Sequence, residues 1–220
     1  MPNGESSLDN TTHLAIGAHA DDIEFFAFHG ILSCYDNKEK NFSGITMTSG
    51  GGSPRAGKYA SMNDEEMIRI RLEEQIEAAR IGKYHAQIQL GHPSSMIKNL
   101  KESLATDELI YLLKACKPEV IYTHSLSDRH DTHIAVTLRV IHAVRAAKIS
   151  LKSFWGCEVW GSLDWLPQRH PLAVSENEDL AIKLCAVHKS QIEGGKRYDL
   201  ATIGRRRANA TFYESHQTDK

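Results

Sequence analysis

A short apolar run that ends in one imidazole and two carboxylates is the feature that most constrains the fold. Residues 13–26 read HLAIGAHADDIEFF, so the run at 13–18 is followed at once by His19, Asp21 and Asp22. The run has the length and composition of a buried strand in a parallel sheet. Adjacent carboxylates repel each other and are costly to remove from water, so we expect a compensating group where this strand ends.

The rest of the chain alternates between strand-like and helix-like segments. Further strands are predicted at residues 42–49, 85–91, 119–125 and 153–160, and helices at residues 23–35, 63–82, 106–116, 132–148, 178–190 and 195–212. This alternation predicts an α/β fold, with residues 1–220 forming a single Rossmann-like domain around a mainly parallel sheet with helices on both faces. Residues 1–12 and 215–220 are predicted to be flexible ends.

The composition argues against several classes of function. The 26 basic and 28 acidic residues give a net charge of −2, so there is no basic excess for binding nucleic acid. No apolar run approaches the roughly 18 residues of a membrane span, and the polar start MPNGESSLDNTT is not a secretory signal. The four cysteines are scattered and form no CxxC pair, which predicts reduced thiols. We therefore predict a cytoplasmic protein that binds neither nucleic acid nor a membrane.

Polar residues follow three of the predicted strands. The first strand is followed by HADD, the second by SGGG at residues 49–52, and the fourth by SLSDRHDTH, which contains His130 and His133. Ligands of open α/β sheets bind beyond the carboxyl ends of the strands. If the first and fourth strands are neighbours, both histidine motifs line one crevice.

The residue types in this crevice predict a metal site. Imidazole and carboxylate ligands together suit zinc or another divalent transition metal. A catalytic zinc has three protein ligands and one open position for water. His19, one of the two aspartates and one histidine of the second motif would supply the ligands. The other aspartate would stay free to accept a proton.

In this order the motifs resemble those of the LmbE-like, or GlcNAc-phosphatidylinositol de-N-acetylase, family of zinc-dependent N-acetylglucosaminyl deacetylases. The family motifs AHPDDE and HPDH stand here as AHADDIE at residues 18–24 and HDTH at residues 130–133. The resemblance extends through TSGGG after the second strand and an R-x-x-E helix, and it covers nearly the whole chain. It implies the α/β fold, a Zn²⁺ cofactor and hydrolysis of an amide.

The resemblance also implies roles for individual residues. The metal ligands are implied to be His19, Asp22 and His133. Asp21 is implied to be the general base that deprotonates the attacking water. His130 is implied to be the residue that, when protonated, stabilises the oxyanion or protonates the leaving amine.

Three further residues are expected to contact substrate. The resemblance implies this role for Arg71, the first residue of the R-x-x-E motif. Gly51 and Gly52 are expected to border the crevice, because glycine lets the backbone approach a ligand closely.

The chain departs from the family pattern at two places. Ala20 replaces the proline of the first motif, which removes no functional group. Thr132 replaces the acid that orients the catalytic histidine of the second motif. Either Asp131 or Asp128 must then substitute for that acid, or His130 is tuned differently.

We predict a metal-dependent hydrolase that removes an acetyl group from the nitrogen of an amino sugar or its conjugate. One alternative is a metal-dependent amidase that acts on another small N-acyl compound or thiol conjugate. A second alternative, prompted by Thr132, is a metal- or sugar-binding domain without turnover. The resemblance also allows a homo-oligomer, for which the residues themselves offer no argument.

The segment GSPRAGKY at residues 52–59 comes close to a phosphate-binding loop but does not match it. Tyr59 replaces the hydroxyl that would bind Mg²⁺, and Pro54 removes a backbone donor. A nucleotide site is therefore not predicted.

Overall fold

The sheet of this protein has five parallel strands and places the first strand at its centre. The computed structural model describes residues 8–159, 163 and 165–213. Its strands are β1 (His13–Gly17), β2 (Phe42–Thr48), β3 (Ala86–His92), β4 (Val120–His124) and β5 (Ser153–Cys157). Their order is β3-β2-β1-β4-β5, and every neighbouring pair is parallel. The predicted α/β fold is confirmed, and β1 and β4 are neighbours as the crevice requires.

Helices cover both faces of the sheet. They are α1 (Asp22–Phe26), α2 (Phe28–Cys34), α3 (Asp64–Ile81), α4 (Ser94–Lys98), α5 (Leu104–Cys116), α6 (Asp131–Ala147), α7 (Glu178–Ala186), α8 (Lys189–Ile192) and α9 (Tyr198–Tyr213). One core contains Ile23 of α1, Phe28 of α2 and Leu184 of α7. The core on the other face contains Ile97 of α4 and Val136 of α6. No helix in the described ranges is both long and apolar enough to cross a lipid bilayer.

Helix α3 begins and ends where its sequence predicts. The side chain of Asn63 accepts a hydrogen bond from the Glu66 amide, and the Glu66 carboxylate accepts one from the Asn63 amide. This reciprocal cap satisfies two backbone donors that would otherwise lack partners. Gly82 follows the last helical residue. The helix therefore has a fixed start, which sets the positions of its side chains near the crevice.

The helix predicted at residues 23–35 is divided into α1 and α2. The break lies at Ala27, whose φ of −106° and ψ of 16° are not helical. Every residue from 22 to 28 is buried. Seven consecutive buried residues cover every side of a helix, so this stretch is enclosed in the core, and the change of direction at Ala27 lies within it. Helix α4 was not predicted, and the helix predicted at residues 178–190 ends at Ala186, with α8 following separately.

Residues 8–12, which were predicted to belong to a flexible end, contact the sheet. The Thr11 and Ser43 hydroxyls are 2.8 Å apart, and the Thr12 hydroxyl donates to the Asn41 carbonyl at 3.1 Å. The other residues predicted to be flexible, 1–7 and 215–220, lie outside the described part of the chain. The strand predicted at residues 153–160 ends at Cys157, and residue 160 also lies outside that part.

A buried arginine of α6 fixes the connection between β3 and α5. The Arg139 side chain is 2% exposed and makes five hydrogen bonds, which matches the five N–H groups of a guanidinium. The acceptors are the carbonyls of Met96, Ile97, Asn99 and Glu102 and the hydroxyl of Thr106. The Asn99 amide caps α4 by donating to the carbonyls of Ser95 and Met96, and Arg139 adds a donor for the carbonyl of Ile97.

We expect the substitution Arg139→Met to lower the free energy of unfolding by about 3 kcal/mol, because it removes five hydrogen bonds, including the one to the buried carbonyl of Ile97. Urea denaturation followed by circular dichroism measures this change. Arg145→Met is the matched control, since Arg145 is an exposed arginine on the same helix; we expect it to cost less than about 1 kcal/mol. Equal losses in the two variants would contradict the role given to Arg139.

Candidate metal centre

The turn after β1 places His19 and Asp22 side by side. The His19 amide donates to Asp22 Oδ2 at 2.7 Å, and the Asp22 amide lies 3.4 Å from the His19 carbonyl. This tight turn brings His19 Nδ1 to 3.2 Å from Asp22 Oδ2. Asp22 is fully buried, whereas the His19 side chain is 25% exposed. Asp22 is therefore enclosed in the interior, whereas His19 faces the crevice.

Helix α6 brings His133 to the same place. Its first turn lies at the carboxyl end of β4, which pairs with β1. His133 Nε2 is 3.3 Å from His19 Nδ1 and 3.5 Å from Asp22 Oδ1. The three residues predicted to bind the metal thus meet, although they come from two separate crossovers.

The spacing of these donor atoms fits a divalent metal such as zinc. Ligand bonds of about 2.1 Å in a tetrahedral arrangement place the donor atoms about 3.4 Å apart. His19 Nδ1 and His133 Nε2 are 3.3 Å apart, and each lies near a different oxygen of Asp22: His19 Nδ1 is 3.2 Å from Oδ2, and His133 Nε2 is 3.5 Å from Oδ1. In addition, Asp22 Oδ1 is buried and has no hydrogen-bond partner. A cation held by His19, Asp22 and His133 would satisfy this oxygen, so the donor set fits the metal.

Asp128 orients the ring of His133. Its Oδ2 is 2.9 Å from His133 Nδ1, so the Nδ1 proton is used in this bond and Nε2 is left as the ligand atom. Burial lowers the pKa of His133, but the carboxylates of Asp22 and Asp128 outweigh burial and raise it. Burial alone would raise the pKa of Asp22, yet His133, His124 and His19 hold it well below its usual value. Asp22 is therefore ionised.

His124, the last residue of β4, packs behind the ligands. Its ring is fully buried and stacks on His133, with centroids 3.9 Å apart. Its Nε2 accepts a hydrogen bond from the Ala18 amide at 2.9 Å and lies 3.3 Å from Asp22 Oδ2. Burial lowers the pKa of His124 to about 4, which makes it a neutral imidazole. Two overlapping groups have ligand atoms that all lie within 4.8 Å of one another: one is His19, His130 and His133, and the other is Asp22, His124 and His133.

Asp21, adjacent to the ligand Asp22, is held in an unusual conformation. Its φ is 93°, in the left-handed region that residues other than glycine rarely adopt. Its Oδ2 accepts hydrogen bonds from Arg71 at 2.7 Å and from the Tyr198 hydroxyl at 2.6 Å. Its amide donates to Gln75 at 3.1 Å. Within the described residues no hydrogen bond reaches Oδ1, which is therefore free to accept a proton.

His130 precedes the first turn of α6 and caps the helix. Its Nδ1 accepts a hydrogen bond from the Thr132 amide at 3.2 Å, so a neutral ring carries its proton on Nε2. Its ring centroid lies 5.0 Å from that of His19 and 4.4 Å from that of His133. Burial, together with His133 and His19, lowers the pKa of His130. His130 is thus a neutral N–H donor beside the ligands.

The missing acid of the second motif has no direct substitute. Asp128 Oδ1 accepts from the backbone amide of His130 at 2.9 Å, and its other oxygen binds the ring of His133. Among the described residues no carboxylate is hydrogen-bonded to the ring of His130. Of the two acids considered from the sequence, Asp128 supports the metal ligand, and the helix amide of Thr132 orients His130 instead.

The three residues expected to contact substrate differ in how deeply they are buried. Arg71 is 2% exposed and lies behind Asp21, where it also pairs with Glu74 at 2.9 Å. Gly51 is buried against α3, since a Cβ there would lie 3.1 Å from Ile68. Gly52 is exposed with open space around it. Substrate contact by these three residues stays a prediction.

The loop of residues 52–59 does not form a phosphate cradle. Arg55 is ion-paired with Asp64, and Lys58 is 3.1 Å from Glu193 of the C-terminal region. Its basic side chains are therefore engaged by carboxylates.

Two residues that hold Asp21 were not identified from the sequence. Tyr198 is separated from Asp21 by 177 positions and lies in a helix whose sequence contains no motif for this role. Gln75 lies one turn after Arg71 in α3, so helical spacing alone could have indicated that it faces the same side.

Comparison with known proteins identifies the family. Residues 14–144, more than half of the chain, match the family described as GlcNAc-PI de-N-acetylase. A search of curated protein sequences finds no match.

Several solved structures share the fold at low sequence identity. The N,N'-diacetylchitobiose deacetylase from Pyrococcus horikoshii is 17% identical, with a TM-score of 0.71 over 93% of this chain and 79% of that chain. The A40926 pseudoaglycone deacetylase is 15% identical, with a TM-score of 0.68 over 94% of this chain and 93% of that chain. The 4-carboxy-2-hydroxymuconate hydratase from Pseudomonas putida KT2440 is 14% identical, with a TM-score of 0.63 over 95% and 92%. The family match, in agreement with the converging histidines and aspartates, shows that this chain belongs to the GlcNAc-PI de-N-acetylase family of amide hydrolases.

Proposed function

We propose that this protein is a zinc-dependent hydrolase that removes the acetyl group from an N-acetylated amino sugar or its conjugate. The observation that carries the proposal is the convergence of His19, Asp22 and His133 at ligand spacing, directly beside a second carboxylate, Asp21. Family membership and the two deacetylases with the same fold support it. The hydratase with the same fold means that the fold by itself assigns no reaction.

The donor set determines which chemistry a metal would add. Zinc bound by His19, Asp22 and His133 supplies Lewis acidity toward a carbonyl oxygen and toward water. With these three residues as its protein ligands, a zinc ion would keep one position for the reactants.

Asp21 is proposed to act as the general base. Arg71 and Tyr198 both bind Oδ2, so the carboxylate is fixed and Oδ1 is the oxygen available for a proton. Asp21 takes a proton from the water that attacks the amide carbonyl. The C–N bond then breaks as Asp21 returns this proton to the amine nitrogen, so that acetate and the amine are released and the Asp21 carboxylate is regenerated.

His130 is proposed to donate a hydrogen bond to the oxyanion. The Thr132 amide holds its Nδ1, so the Nε2–H is the atom available to the substrate. A donor that is oriented before the reaction stabilises developing charge without reorganisation. We further propose that Gly51 and Gly52 border the substrate side of the crevice, that Arg71 contributes to substrate turnover through the carboxylate of Asp21 and not by facing the crevice, and that the protein is located in the cytoplasm.

Incubation of the zinc-loaded protein with N-acetylglucosamine and its conjugates tests the proposal, with acetate and free amine as the measured products. We expect stoichiometric release of both. Turnover of non-sugar N-acyl compounds or thiol conjugates alone would favour the broader amidase. Binding of a sugar without any product would favour a non-catalytic domain.

The substitution His133→Ala is expected to reduce bound zinc from one ion per chain to less than about one-tenth under the same conditions, because it removes one of three ligands. Metal analysis after gel filtration measures this ratio. His142→Ala serves as the control, because His142 is exposed on the same helix. Full zinc occupancy in the His133 variant would contradict the ligand assignment.

The substitution Asp21→Asn is expected to lower kcat by about 10²–10⁴-fold, the usual contribution of a general base, while zinc stays bound. Steady-state kinetics normalised to metal content measures the effect. A variant with wild-type kcat would exclude Asp21 as the base.

Asp128→Asn is expected to weaken zinc binding by about 10- to 100-fold, because it loosens the hydrogen bond that orients His133. Competition with a zinc chelator measures the affinity. The neighbouring change Asp131→Asn removes an exposed acid of the same motif and should leave affinity within about twofold. A larger effect at Asp131 than at Asp128 would reverse the roles assigned to the two acids.

A further inference from the structure

Arg71 lies between two carboxylates in the interior and does not face the crevice. Its guanidinium is 2.7 Å from Asp21 Oδ2 and 2.9 Å from Glu74 Oε2, and it also donates to the Ala20 carbonyl. The side chain is only 2% exposed. Its contacts are therefore made with the turn that carries Asp21.

Glu74 continues this set of contacts toward the C-terminal region. It lies one turn after Arg71 on α3 and is 8% exposed. Its Oε1 accepts from the Ser190 amide at 2.6 Å, and its Oε2 accepts from the Ser190 hydroxyl at 2.8 Å. Ser190 belongs to the short helix α8 and is fully buried. An unbroken series of hydrogen bonds thus links Ser190, Glu74, Arg71 and Asp21.

The conformation of Asp21 requires such support. A residue other than glycine rarely adopts a φ of 93°, and this strained conformation persists only where its surroundings impose it. Arg71 imposes it by bridging the Ala20 carbonyl and the Asp21 carboxylate. The guanidinium can hold both only if it is fixed itself, and Glu74 is the anion that fixes its other end.

We infer that Glu74 and Ser190 are positioning residues for the reaction, acting through Arg71 on the carboxylate of Asp21. This inference rests on the proposed function, because it assumes that Asp21 is the base. Helix α8 lies outside residues 14–144, the part of the chain that the family matches. The inference gives this helix a role in positioning Asp21. Displacement of a base by about 1 Å is enough to cost up to about 100-fold in rate, so a distant anchor has a measurable effect.

Helix α3 provides a matched control. Glu77 and Arg80 form the same kind of pair, three residues apart at 3.3 Å, but their side chains are 51% and 66% exposed. Glu77→Gln therefore removes the same charge from the same helix without affecting the buried series. If Glu74→Gln lowers kcat and Glu77→Gln does not, the loss comes from the buried position of Glu74 and not from removing a negative charge from α3.

The kinetic test uses the zinc-loaded full chain and N-acetylglucosamine or the conjugate that the wild-type protein turns over. For Glu74→Gln we expect kcat to fall about tenfold or more, with KM within about twofold and one zinc per chain retained. Ser190→Ala, the milder variant, should give a smaller fall, and the double variant should be no worse than Glu74→Gln, because the residues act in one series. Glu77→Gln should match the wild type.

Hydrogen exchange provides a readout that needs no turnover. In Glu74→Gln the amides of residues 20–22 and of Ser190 should both exchange faster than in Glu77→Gln. The inference is overturned if only Ser190 responds, or if kcat falls only in proportion to lost zinc. If the wild-type protein hydrolyses no N-acetyl compound, the proposed function fails, while the exchange rates still decide whether Glu74 holds the turn at Asp21.

Discussion

A carboxylate with no exposed surface, enclosed by three imidazoles, is the constraint on which the rest of the structure depends. Asp22 lies 3.2 Å from His19, 3.3 Å from His124 and 3.5 Å from His133, and one of its oxygens has no hydrogen bond. Burying such a charge is costly unless a positive charge compensates for it. The three imidazoles belong to the turn after β1, the end of β4 and the start of α6. His124 is a neutral imidazole, so the compensating positive charge falls between Asp22, His19 and His133, where we propose the metal, and this need ties the centre of the sheet to α6. It also explains why two acids stand together in this motif: Asp22 is enclosed with the ligands, and Asp21 is held to accept a proton.

The metal ligands could be predicted from the sequence because each lies in a short motif next to a recognisable element. A buried strand leads into His19 and Asp22, and another leads into the helix that carries His133. In a parallel sheet the carboxyl ends of adjacent strands meet at one edge, so pairing of β1 with β4 brings the motifs together. The division of the helix at Ala27 could not be predicted in this way. A run of apolar residues fits a regular buried helix as well as two short helices, and only packing decides between them.

The support of Asp21 could not be predicted for a different reason. Tyr198 and Ser190 reach the site from the C-terminal region, and single hydrogen-bonding side chains have no periodicity that marks their partners. The resemblance gave Arg71 a place near substrate, but the structure encloses it between Asp21 and Glu74. The structure also explains why threonine can replace the usual acid at position 132. The group that binds the ring of His130 is the backbone amide of Thr132, which is present whatever the side chain is. Local motifs thus define the ligands, and the tertiary fold defines how the base is held.

Anomalous diffraction at the zinc absorption edge, from crystals of the zinc-loaded protein, would locate the metal relative to its proposed ligands. We expect one strong peak within about 2.0–2.2 Å of His19 Nδ1, an Asp22 carboxylate oxygen and His133 Nε2. Zinc found only on exposed histidines elsewhere, or no peak between these three side chains, would contradict this expectation.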